Sequence, residues 1–192
     1  MTRVSACTVS ALLVGAVAAA QPTPCPCTPP PPPTAIEAAL GAHETVTVKT
    51  YYDIDLIGRP AAPAVEVSAV TVQFPQEHGR VVKGVRVRVA LRGEGQSPPV
   101  ETFVDFEECN ALLTALAAVL DQADAWKLKA LDRTEVSYTT RGGLAVGFLQ
   151  GPGPQRGFVA TDAGKSAVTL PFDALRQLKD LIVAAVAKLG EM

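Results

Sequence analysis

Val104-Asp105-Phe106-Glu107-Glu108-Cys109 and Leu170-Pro171-Phe172-Asp173-Ala174-Leu175 lie 66 residues apart and decide the fold. In each, a β-type run passes through a phenylalanine and an acidic residue straight into an apolar helical pattern. After the first stretch Cys109, Leu112, Leu113, Leu116, Val119 and Leu120 keep helical spacing; after the second, Leu175, Leu178, Ile182, Val186 and Leu189 do. Asp105 stands where an N-cap belongs, and Glu108 follows three residues later as its capping-box partner. Between Ala111 and Leu120 only Thr114 is polar, so this helix is expected to be covered on more than one side and to end near Asp124.

Upstream of each helix the period is two. Val46, Val48, Tyr52, Ile54 and Leu56 begin the first series, and the valine-rich run Val65 to Phe74 follows. Val85, Val87, Val89 and Leu91 then alternate with Arg86, Arg88, Ala90 and Arg92, and Val100 to Asp105 completes four strands. The second series is Glu135–Thr140, Leu144–Gln150, Gly157–Thr161 and Ser166–Leu170, separated by turns rich in glycine. The expected fold is therefore α+β. It is an internally duplicated ββββα unit, two antiparallel four-stranded sheets or meanders each followed by a helix, forming one domain over residues 45–192 (copies 45–128 and 133–192). One such unit cannot cover its own sheet, whereas two copies can bury each other.

The residues before 45 carry a different message. Arg3, the ten-residue apolar run Ala11 to Ala20 and the small residues Ala18-Ala19-Ala20 have the order of a secretory signal peptide over 1–20, with cleavage after Ala20. Ten residues are too few for a membrane-spanning helix, which needs about 20. Val4-Ser5-Ala6-Cys7 resembles a lipobox as a string but precedes the apolar run instead of following it. Residues 21–44 are expected to be a proline-rich linker: eight of the chain's 16 prolines fall between Pro22 and Pro33. Export leaves Cys25, Cys27 and Cys109, an odd number in an oxidising compartment. Cys25-Pro26-Cys27 is too closely spaced for an ordinary zinc pair, and Cys109 on the helix stripe is expected to be a buried, inert thiol.

Charge patterning offers one dense feature. Arg80, Lys83, Arg86, Arg88 and Arg92 crowd the third strand, and Arg86, Arg88 and Arg92 share one face. Such a stripe can hold an anionic ligand or an acidic protein surface, or it can keep a solvent-facing strand soluble. Asp53 and Asp55 are expected on one face of the first strand, as exposed acids or as a weak calcium or acid–base pair. His43 and His78, the only histidines, sit in a lead-in and a turn. Gly164-Lys165-Ser166 lacks the earlier glycine of a phosphate-binding loop, and no Gly-x-Ser-x-Gly elbow is present.

The doubled ββββα order resembles the topology of Whirly and Pur-type single-strand nucleic-acid-binding proteins. The likeness is in element order; no sequence motif of those families is present, and a net charge of −2 departs from their basic character. The leading expectation is an exported module, periplasmic or secreted, that is not an enzyme. It would bind an unknown macromolecule or a second copy of itself and need no cofactor, with nucleic acid disfavoured as partner and no transmembrane span after signal cleavage. The alternative is anionic-ligand or single-strand nucleic-acid-type binding through the arginine strand. A hydrolase built on the Asp and His residues stands third.

Overall fold

The computed structural model describes residues 33–58, 63–90, 99–129, 131–161 and 166–192. Its elements are α1 Ala35–Leu40, β1 Val48–Ile57, β2 Ala64–Phe74, β3 Arg80–Ala90, β4 Val100–Asp105, α2 Phe106–Trp126, β5 Thr134–Thr139, β6 Ala145–Gln150, β7 Arg156–Thr161, β8 Ser166–Pro171 and α3 Asp173–Gly190. The strands form two antiparallel meanders, ordered β1-β2-β3-β4 and β5-β6-β7-β8. This is the duplicated ββββα fold.

α3, from the second copy, lies mainly on β1 and β2 of the first, whereas α2, from the first copy, packs between β3 and β4 of its own sheet and β5 and β6 of the second. The helices also pack on each other. Their apolar stripes meet the inward valines of both sheets in one core holding Val65, Val87, Leu112, Leu116, Val146, Phe148, Leu178 and Ile182. Each fully buried side chain of this size contributes about 1.5–3 kcal/mol, so neither copy can give up the other's helix cheaply. α2 is covered on several sides, as its composition requires. Its exposed face is made of small or polar residues such as Ala111, Thr114 and Ala118.

Register makes the two copies superimposable on paper. Arg86 pairs with Ser68 on one side and Phe103 on the other. Phe158 pairs with Gly147 and Thr169 in the same way. Phe106 and Phe172 are both half-buried against the shared core, and Phe172 meets Phe148 edge-on at 6.1 Å. The helix starts differ by one residue: Asp105 is extended before α2, whereas Phe172 is already helical before α3.

Three sequence expectations are corrected. First, residues 21–44 are not linker throughout. Thr34 and Glu37 form a complete capping box that starts α1, and Ile36 is fully buried on the outer face of the first sheet against Val70, Val72 and Phe74. Gly84 makes this possible, because a Cβ there would sit 2.8 Å from Val104 O and 3.2 Å from Ile36 Cγ2. Second, Asp105 and Glu108 do not form a capping box. Asp105 turns its carboxylate to the backbone N–H groups of Ala35 and Ile36, each donating at 3.0 Å. Glu108 accepts instead from the backbone N–H of Arg141 at 2.8 Å. Third, the register shifts between Asp53 and Asp55, pairing Asp53 with Ser68 and Asp55 with Val67. That bulge puts the two acids at register positions of opposite faces.

Candidate functional site

The third strand's arginines are set by simple alternation. Val85, Val87 and Val89 are fully buried on the inner face, which turns Arg86 and Arg88 outward. Acids from the neighbouring strands meet them there. Arg86 Nη2 donates to Ser68 Oγ at 2.9 Å and to Asp53 Oδ1 at 3.3 Å, and Nη1 donates to Glu101 Oε1 at 3.4 Å. The Ser68 hydroxyl in turn donates a hydrogen bond to Asp53 Oδ1 at 2.8 Å, and the guanidinium lies 4.9 Å from the Tyr51 ring centre. Arg88 Nη1 donates to Glu66 Oε2 at 3.0 Å, with Nε 3.7 Å from Glu101 Oε1. Three carboxylates therefore face two guanidinium groups, and the ladder is net negative by one.

The remaining members of the run also have partners within the fold. Arg80 pairs with Glu77 at 3.0 Å and stacks on Phe74. Lys83 Nζ donates to Leu189 O at 2.8 Å, neutralising the carbonyl end of α3. Arg92 lies outside the described residues. The structure thus brings Arg86 and Arg88 together and sends Arg80 and Lys83 elsewhere.

Other sequence candidates are dispersed. His78 takes a left-handed backbone (φ 55°) in the β2–β3 turn, beside Gly79. Asp55 Oδ1 accepts from the backbone N–H of Leu56 at 2.7 Å. Cys109 is fully buried in the core. Burial, followed by the Glu108, Glu107 and Asp105 carboxylates, pushes its thiol up to about 12. It stays protonated at neutral pH and is no nucleophile. Cys25, Cys27 and Gly164-Lys165 lie outside the described residues. Among the described residues, no group of three or more His, Cys, Asp or Glu side chains is placed to hold a metal ion. No described helix is long and apolar enough to cross a membrane.

Sequence reasoning missed a cleft at the far end of the second sheet. It has a volume of about 490 Å³ and lies between Lys127-Leu128-Lys129, which follow α2, Asp132, and the Gly151-Pro152-Gly153 loop. A second cleft of about 330 Å³ shares Asp132, Gln150 and that loop, and adds Arg133 and Arg156. Gln155 fastens the loop to α2 by donating to Ala123 O at 2.8 Å. Among the described residues, no ion pair engages Lys127, Lys129, Arg133 or Arg156. Gln150, 5% exposed, lines both clefts with its Oε1 lacking a hydrogen-bond partner. An unpaired buried polar atom of this kind costs about 1–3 kcal/mol. Lys127, Lys129 and Arg133 were visible in the sequence as a cationic cluster after α2. Arg156 joins them only because β6 and β7 fold back beside it.

No family model matches this chain, no curated protein is similar to it in sequence, and no solved structure matches its fold.

Proposed function

We propose that the protein is an exported, non-enzymatic binding module that engages another macromolecule. The observation that carries this reading is the contrast in how its polar groups are used. The guanidinium groups of the arginine ladder, Asp105, Glu108 and Lys83 meet partners within the fold, although Arg86 Nε, Arg88 Nε and Glu108 Oε2 make no hydrogen bond, whereas among the described residues no ion pair engages the exposed cations around the Gly151–Gly153 loop. A surface of exposed, unpaired charge beside a shallow cleft favours recognition over chemistry, since a general base needs an orienting partner. Export rests on the order of charge, apolar run and small residues over 1–20. The arginine-strand alternative loses ground because its field is cancelled at source.

Two measurements test this. N-terminal sequencing of the native protein is expected to begin at Gln21, and an intact Met1 would end the export reading. Cross-linking in the envelope or extracellular fraction is expected to trap a specific partner. A strict monomer with nothing retained would sink the binding reading.

A further inference from the structure

We propose that the paired clefts around Gly151–Gly153 are the docking surface, and that their partner is an acidic polypeptide segment. The inference rests on the binding-module reading and gives it a place and a chemistry. Lys127, Lys129, Arg133 and Arg156 line the two clefts against a single carboxylate, Asp132, so the lining carries a surplus of three positive charges. That contrasts with the arginine ladder, which is net negative, and with the whole chain at −2. The surplus survives because no ion pair among the described residues engages these four cations.

Three further features select a polypeptide over a nucleic acid. No aromatic side chain lines either cleft, so there is no platform for base stacking. Leu128, 98% exposed, and Pro152 both line the first cleft, which suits an aliphatic side chain between acids. Gln150 lines both clefts, and its buried carboxamide oxygen has no hydrogen-bond partner, so a small side-chain rotation that met a peptide N–H would recover the cost of leaving it unpaired. The Gly151-Pro152-Gly153 loop, Asp132 and Gln150 line both clefts, so the four cations belong to one continuous lining.

The test is fluorescence anisotropy of the purified native protein with labelled poly-L-glutamate at low ionic strength, with oligothymidylate as competitor. The wild-type protein binds polyglutamate, and added salt abolishes binding. The variant Lys127→Gln/Lys129→Gln/Arg133→Gln binds about tenfold more weakly, the loss expected for three exposed charge contacts. Arg176→Gln/Lys179→Gln/Lys188→Gln removes the same charge from α3 and leaves affinity within about twofold. Circular dichroism and thermal melting confirm that both variants fold. Equal loss in both variants, or no polyglutamate binding at low salt, overturns the proposal. Preference for oligothymidylate, lost in the cleft variant, replaces the peptide with a nucleic acid and also overturns it. If the cross-linked partner is still captured by the cleft variant, the docking surface is wrong while the binding-module reading stands. If neither wild type nor variant captures one, both fall.

Discussion

The outer faces of the two sheets hold the same register and opposite chemistry. In the first sheet the row Asp53–Ser68–Arg86 is a hydrogen-bonded charge ladder. In the second the equivalent row is Ser137–Gly147–Phe158, and the phenylalanine, 9% exposed, covers the glycine. Inward positions diverge less: Val87 and Val159, or Val104 and Leu170, are apolar in both copies, with buried Thr102 standing where the second copy has Val168. Inner faces are constrained because each must fit the other copy's helix. Outer faces answer only to their own sheet, so duplication left them free to specialise. The first copy used that freedom to seat α1 and to cancel its charges; the second carries a phenylalanine over glycine in that row and, at its end, a basic cleft whose cations no ion pair among the described residues engages.

The strongest way to break the comparison is to make the second row resemble the first. A Cβ on Gly147 would collide with Val136 O and come within 3.0 Å of Phe158 Cε1. Gly147→Ser is expected to destabilise the protein by about 3 kcal/mol, although serine is native at the equivalent Ser68. Urea unfolding measures it; an unchanged midpoint would show that the second row accepts serine as the first does and that its glycine is not required.

A smaller effect is expected where the first copy holds α1. Asp105→Asn keeps the shape but sets an amide N–H₂ against backbone donors, at a cost of about 2 kcal/mol for charge-assisted bonds. Hydrogen exchange at the Ile36 amide should rise to the rate of an undocked segment, while core amides such as Leu116 stay protected. Protection unchanged at Ile36 would mean that packing on Val70 and Phe74 suffices to hold the helix.

The difference between the copies also explains what the sequence revealed. Periodicity exposed all eight strands and both long helices, because inward valines and leucines recur at the period of the element itself. α1 was hidden by its six residues and its proline-rich approach, although Thr34-x-x-Glu37 was a readable start signal. Arg86 and Arg88 were correctly placed on one outward face. Their neutralisation was not legible, because Asp53, Glu66 and Glu101 reach them through pairing registers that no local pattern encodes. The same holds for the bulge that separates Asp53 from Asp55. At the cleft, Arg156 comes from a hairpin beyond the Lys127–Arg133 cluster, so only tertiary structure assembles the set.

The finest test concerns how much the ladder contributes to holding the first sheet. Arg86 is nearly buried, with 16% of its side chain exposed, whereas Asp53 is 84% exposed. Solvent screens the pair from the Asp53 side, so Coulomb attraction between them is weak despite the 3.3 Å contact. A double-mutant cycle with Asp53→Ala and Arg86→Met is expected to give a coupling below about 1 kcal/mol. Arg86→Met alone should cost more than Asp53→Ala alone. It removes the Tyr51 stacking and leaves Glu101 without its closer cation, while Ser68 keeps Asp53 as acceptor in the single arginine variant. A coupling of several kcal/mol would mean that the pair is shielded from water and that the ladder is a structural keystone. In that case the first sheet's outer face would depend on its charges as strongly as the second depends on Phe158 over Gly147.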